Sequence, residues 1–116
     1  MDVYQISCDL KPGVRDTAFV AALDGYLGAL KSGGKIEGWR LLRRKLGLGM
    51  PGLGEFQILI ETRDLAQLDA AFAAASTRND PVEGAHHGVN SLVQNFQAAL
   101  YRDFPDPHRK HGEERF

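Results

Sequence analysis

The chain has 116 residues, 43% of them hydrophobic and 25% charged, a balance that fits one soluble domain able to bury roughly two thirds of its unfolded surface. Its 14 Lys and Arg against 15 Asp and Glu leave a formal net charge of -1, so no global charge excess draws it to nucleic acid or to an anionic membrane. No apolar run approaches the ~20 residues that span a bilayer, the N-terminus lacks a signal peptide's basic and apolar regions, and the single Cys8 excludes an internal disulfide; the expectation is a cytoplasmic protein.

Residues 3–10 alternate Tyr4, Ile6, Cys8 and Leu10 against Val3, Gln5, Ser7 and Asp9, the period of two that marks a half-buried strand. Lys11-Pro12-Gly13 breaks it. Asp16 or Thr17 is placed to cap a helix on which Phe19, Leu23, Tyr26, Leu27 and Leu30 share a face, and Ser32-Gly33-Gly34 stops that helix. Residues 35–46 predict a second strand, with Trp39, Leu41 and Leu42 set among Arg40, Arg43, Arg44 and Lys45; four cations make it an edge strand.

The glycine-rich residues 47–54 invite comparison with a phosphate-cradling loop, but such a loop needs a helix N-terminus after it. This one runs into a strand, so an irregular hairpin connection is expected. Residues 54–62 form the strand around which the rest is arranged, with Phe56, Ile58 and Ile60 on one face and Gln57, Leu59 and Glu61 on the other. Asp64 and Gln67 then have the spacing of a capping box, and Leu65, Leu68, Phe72 and Ala75 give the second helix its apolar stripe.

Thr77-Arg78-Asn79-Asp80-Pro81 ends that helix, and a short helical turn fits between Pro81 or Ala85 and Val93. Phe96, Ala98, Leu100, Arg102 and Phe104 then alternate with Gln97, Ala99, Tyr101 and Asp103, a fourth strand. The predicted domain covers residues 1–105. Residues 106–116, with His108, Arg109, Lys110, His111 and four more charged side chains, read as a charged C-terminal tail, solvated or wrapped on a partner.

The order β-α-β-β-α-β is the split βαβ arrangement of an α+β, ferredoxin-like sandwich with an antiparallel four-stranded sheet. Two helices cover one face of such a sheet. The other would carry Val3, Gln5, Ser7, Gln57, Leu59, Glu61, Ala99 and Tyr101, too apolar for free exposure and too polar for an ordinary core. Pairing with a second copy about a two-fold axis would cover it, giving a barrel-like homodimer with a mixed polar interior.

With this order of elements, the stretches Lys35-Ile36-Glu37-Gly38-Trp39-Arg40-Leu41, Gly54-Glu55-Phe56-Gln57-Ile58-Leu59-Ile60-Glu61 and Ala99-Leu100-Tyr101-Arg102-Asp103-Phe104-Pro105 resemble the dimeric α+β barrel superfamily. That group includes stress-responsive A/B-barrel proteins and antibiotic-biosynthesis-type monooxygenases, and the chain is most similar to an uncharacterised bacterial branch near the former. The resemblance covers roughly residues 2–105 and implies a homodimer with a small-molecule pocket in each barrel half. It implies no particular reaction. Some of the monooxygenases use Asn, Trp and His without a metal; Trp39, Asn90, Asn95 and the histidines match in type but not in placement, so no role carries over.

His86 and His87 are the side chains best suited to proton transfer near neutral pH. Adjacent residues point apart on a helix or a strand, so one of the two at most faces a pocket, and no Cys, Asp or Glu stands at a metal-ligand spacing from them. Neither a metal nor another cofactor is expected, and an ordinary helix or surface pair is the simpler account. Tyr101 is a candidate proton donor, or else a phenol near the dimer seam. Trp39, Arg40, Arg44, Gln57 and Glu61 are the candidate ligand-binding residues: Trp39 as a stacking wall or interface anchor, and the arginines as a carboxylate grip or as ion-pair partners that protect the sheet edge.

The sequence therefore supports two functions. One is a small-molecule-binding or accessory homodimer that binds neither nucleic acid nor membrane. The other is a cofactor-independent enzyme, of monooxygenase, cyclase or isomerase type, acting on a small aromatic or polyketide-like substrate with His86 or His87 as base.

Overall fold

The computed structural model describes residues 1–76 and 82–106, with the side chain of residue 83 left aside; the expected tail at 107–116 lies outside the described residues. Among the described residues, four strands and three helices follow in the order β1 (Asp2–Leu10), α1 (Asp16–Ser32), β2 (Gly38–Arg43), β3 (Phe56–Thr62), α2 (Leu65–Ser76), α3 (Val82–Asn90) and β4 (Val93–Arg102). The strands form one antiparallel sheet in the order β2-β3-β1-β4, the ferredoxin-like α+β topology. The strand rich in Ile is indeed internal, flanked by β1 and β2. No helix among the described residues is long and apolar enough to cross a membrane.

The register assigns the two faces. Ile6 pairs with Ile58 and with Ala98, Tyr4 with Ile60 and with Leu100, and Trp39 with Ile60, so these side chains share the face on which the helices lie. Against them α1 buries Phe19, Leu23, Leu27 and Leu30, each worth roughly 1.5–3 kcal/mol of apolar transfer. Phe19 meets Phe56 edge-on at 5.2 Å, and the Arg43 guanidinium caps the Phe56 ring at the same distance. The opposite face carries Val3, Gln5, Ser7, Gln57, Leu59, Glu61, Ala99 and Tyr101, with Arg40 and Leu42 added by β2.

Several local expectations change. The second strand is confined to Gly38–Arg43, because residues 44–55 fold back as a hairpin loop with a Lys45–Leu48 bridge and left-handed backbone at Leu46 and Gly47. Arg15, not Asp16 or Thr17, occupies the cap of α1; Asp16 instead accepts hydrogen bonds from the Thr17 N–H and the Arg43 guanidinium. The buried face of α2 is Gln67, Leu68 and Ala71, leaving Leu65 and Phe72 substantially exposed. Where a turn was expected, α3 is a nine-residue helix packed beside α1.

Gln67 joins three elements. Asp64 Oδ1 accepts from the Gln67 N–H, half of the expected capping box, but the Gln67 side chain accepts from the Arg63 N–H and donates to the Gly34 carbonyl and Glu37. A buried amide is thereby satisfied while α2 is tied to the end of α1 and the start of β2. Gly54 is fixed for another reason: a Cβ there would collide with the Cys8 carbonyl, and its N–H donates to Ser7 Oγ at 2.8 Å.

Candidate functional site

A cavity of about 120 Å³ lies between the helices and the sheet. Its floor comes from β1 and β3, through Ile6, Cys8, Ile58 and Ile60, and its roof from Leu23 and Leu27 of α1 and Leu68 and Ala71 of α2. Among the described residues, the polar groups on its wall are Tyr4, Tyr26, His86 and Asn90, together with the Cys8 thiol. The void follows from composition: alanines dominate α2 and glycines interrupt α1 and α3, so too little side-chain volume is available to fill the layer completely.

Tyr26 and His86 stand with ring centroids 5.2 Å apart and a 54° interplanar angle, bringing α1 and α3 together at the wall. Tyr4 meets Phe72 edge-on at 5.2 Å on the α2 side. Burial raises the pKa of both phenols, and for Tyr26 the nearby Tyr4 adds to the effect. Burial, and then the charge of Asp9, push the Cys8 thiol up to about 11, which leaves it protonated and poorly nucleophilic at neutral pH.

The other sequence-derived candidates are spread over the molecule. His87, next along α3, is exposed and does not line the cavity. Trp39 lies on the helix-covered face, packed against the core, but outside the cavity wall. Arg40, Gln57, Glu61 and Tyr101 share the uncovered face: Arg40 pairs with Leu59, Glu61 with Val3 and Gly38, and Tyr101 with Val3. Arg44 sits in the hairpin loop, where it donates to the Leu53 carbonyl at 2.8 Å. His86 and Tyr101 are therefore on opposite sides of the sheet, and the chain alone does not gather the candidate ligand-binding residues around one space.

The uncovered face is organised by amides and hydroxyls. Gln5 donates to Gln57 Oε1 at 3.0 Å, Gln57 Nε2 donates to Ser7 Oγ at 3.0 Å, and Gln97 donates to the Gly52 carbonyl at 2.7 Å. The basic run is largely engaged at one end: Arg43 pairs with Asp16 and with Glu55 across the hairpin. Among the described residues, no group of three or more His, Cys, Asp or Glu is placed to hold a metal ion.

Sequence reasoning missed the cavity because its wall is assembled from six elements. A signal was present: Tyr4 and Tyr26 fall on predicted core faces, where a phenol brings a hydroxyl that the apolar pattern does not satisfy.

Residues 1–116 match a family described as a family of unknown function, DUF6614. Among proteins with curated descriptions, none matches the chain. Solved structures share the fold at low identity: protein Atu4242 from Agrobacterium tumefaciens is 13% identical with a TM-score of 0.65, over 92% of this chain and 98% of that one. A dimeric ferredoxin-like protein of unknown function from Jannaschia sp. CCS1 is also 13% identical, with a TM-score of 0.60 over 89% of this chain and 100% of that one. HapK from Hahella chejuensis is 12% identical, with a TM-score of 0.55 over 91% and 95% of the two chains.

Proposed function

The chain belongs to the DUF6614 family of unknown function, and from that membership and the ferredoxin-like fold we propose a homodimeric small-molecule-binding protein whose ligand occupies the cavity beneath the helices. The observation that carries this reading is the cavity itself, an apolar space with phenol, imidazole and amide groups on its wall. Its position on the helix side leaves the opposite sheet face for pairing between copies. Arg40, Gln57, Glu61 and Tyr101 then belong to the dimer seam, with Arg44 and the hairpin loop at its margin.

The composition of the uncovered face supports pairing. Val3, Leu42, Leu59, Ala99 and Tyr101 form an apolar band interrupted by the Gln5–Gln57–Ser7 hydrogen bonds, a mixture suited to a subunit interface. The Jannaschia relative is described as dimeric, which favours the same assembly here. Lone Cys8, buried and without a disulfide partner, fits a reducing cytoplasm.

A second reading, a cofactor-independent enzyme, draws on His86: it stands on the cavity wall beside Tyr26, where an imidazole could move a proton to or from a bound molecule. His87 and Tyr101 would not take part in that step within one subunit. Ligand-observed NMR of a small-fragment collection tests the binding reading, with Ala71→Trp as a variant that fills the cavity. Hits that disappear with Ala71→Trp support it, provided circular dichroism shows the variant folded. Hits that persist place binding elsewhere and overturn it. His86→Gln separates the two functions, because it abolishes turnover only if the imidazole acts as a base.

A further inference from the structure

We infer that the cavity selects a neutral molecule about the size of one ring, carrying an oxygen that the Tyr4 and Tyr26 hydroxyls and the Asn90 amide engage, and that it rejects carboxylates. This inference rests on the cavity being the binding site.

Size comes from volume. A dry apolar cavity of about 150 Å³ holds a benzene molecule, and the space here, about 120 Å³ and bordered by the half-exposed Phe72 and Phe96, is of the same order, which matches a single ring rather than a fused system. Charge comes from the wall. Among the described residues, no Lys, Arg, Asp or Glu lines the cavity, and the arginines that suggested a carboxylate ligand are elsewhere: Arg40 on the uncovered face, Arg43 paired to Asp16 and Glu55, and Arg44 in the loop. A carboxylate entering this space would lose its hydration with no Lys or Arg among the described lining residues to replace it, and with the His86 imidazole as its nearest candidate partner there. The raised pKa values of Cys8, Tyr4 and Tyr26 report the same aversion to charge in the protein's own groups.

The polar end comes from hydrogen-bonding capacity. Neither tyrosine hydroxyl, nor the Asn90 amide, is hydrogen-bonded to another described residue, although all three residues line the cavity. The phenols of Tyr4 and Tyr26 are also close enough for one to disfavour ionisation of the other. Tyr4, Tyr26 and the exposed Asn90 bring two O–H donors and an amide to the residues of the lining, a set able to hold a carbonyl, an alcohol or a phenol oxygen while the ring packs on Ile6, Leu27 and Ile58.

The test is calorimetric titration of the intact protein at pH 7 with benzene, phenol and benzoate, repeated with Tyr4→Phe and Tyr26→Phe, which keep the rings and remove the hydroxyls. Phenol should bind about fivefold more tightly than benzene, and benzoate at least about tenfold more weakly than phenol. The two variants should bring phenol close to benzene while leaving benzene affinity unchanged. Benzoate binding as well as phenol, or a phenol preference that survives both variants, overturns the selectivity while leaving the binding site in place. Failure of all three probes overturns the binding site and the selectivity together.

Discussion

Asn95 donates its side-chain N–H to Asp9 Oδ2 at 2.9 Å, and this bond closes a bulge between β1 and β4. Asn95 is the extra residue, in left-handed backbone at φ 56°, so the register moves from Ser7 opposite Gln97 to Asp9 opposite Gln94. The consequence is geometric. Val93 and Phe96, three residues apart and otherwise on opposite faces, both line the cavity.

Asn95→Ala should therefore cost about 1–2 kcal/mol, from the lost hydrogen bond and a left-handed backbone that Ala tolerates poorly. Asn95→Gly, which relieves the backbone but not the bond, should cost less. Urea denaturation of both variants checks the order; equal losses would show that backbone conformation is not part of the effect.

Asp9 gives the bulge a pH dependence. The Asn95 hydrogen bond first, then the Glu55 backbone N–H, hold its pKa below the usual carboxylate value, with a smaller contribution from Arg44. A lowered folded-state pKa contributes stability that is full above the unfolded value, about 4, and is lost as pH falls through the folded value. Asp9→Asn should flatten the melting temperature between roughly pH 4 and pH 2 relative to the wild type. An unchanged acid limb would contradict this role.

Cys8 should be inert in the native state. Its side chain is fully buried and its pKa is pushed up to about 11, so iodoacetamide at pH 8 should label the native protein far more slowly than the urea-unfolded chain. Intact-mass spectrometry over time reads both rates. Comparable rates would mean that the core around the cavity opens readily.

Gln67 should matter more than its helix-surface neighbours. Gln67→Ala removes the side-chain bonds to Arg63, Gly34 and Glu37, and should cost about 2 kcal/mol, whereas Asp69→Ala on the exposed side of α2 should cost little. Paired urea titrations check the contrast.

Legibility in the sequence followed periodicity. Strict alternation in residues 3–10 and 56–61 fixes which side chains face the helices, and the uncovered face of β1, β3 and β4 has the expected occupants. Alternation cannot announce a bulge, and only the tolerance of Asn for left-handed backbone hinted at one. Six alanines in α2 leave its phase ambiguous, so periodicity puts Leu65 and Phe72 in a buried stripe that in fact runs through Gln67 and Ala71. In α3, Gly84 and Gly88 weaken the helical signal, and the helix forms through packing on α1. His86 was visible as a candidate by chemistry, but its neighbour Tyr26 is sixty residues away in the chain.

Methyl-resolved NMR during a phenol titration distinguishes binding beneath the helices from binding on the uncovered face, because the two sheet faces carry separate methyl reporters. Leu27, Ile58 and Val89 line the cavity, while Val3, Leu42 and Leu59 lie on the opposite face. With phenol in the cavity, saturable shifts are expected in the first group at phenol concentrations that leave the second unmoved. Shifts confined to Val3, Leu42 and Leu59 would contradict binding beneath the helices and assign the ligand to the face reserved here for the second subunit.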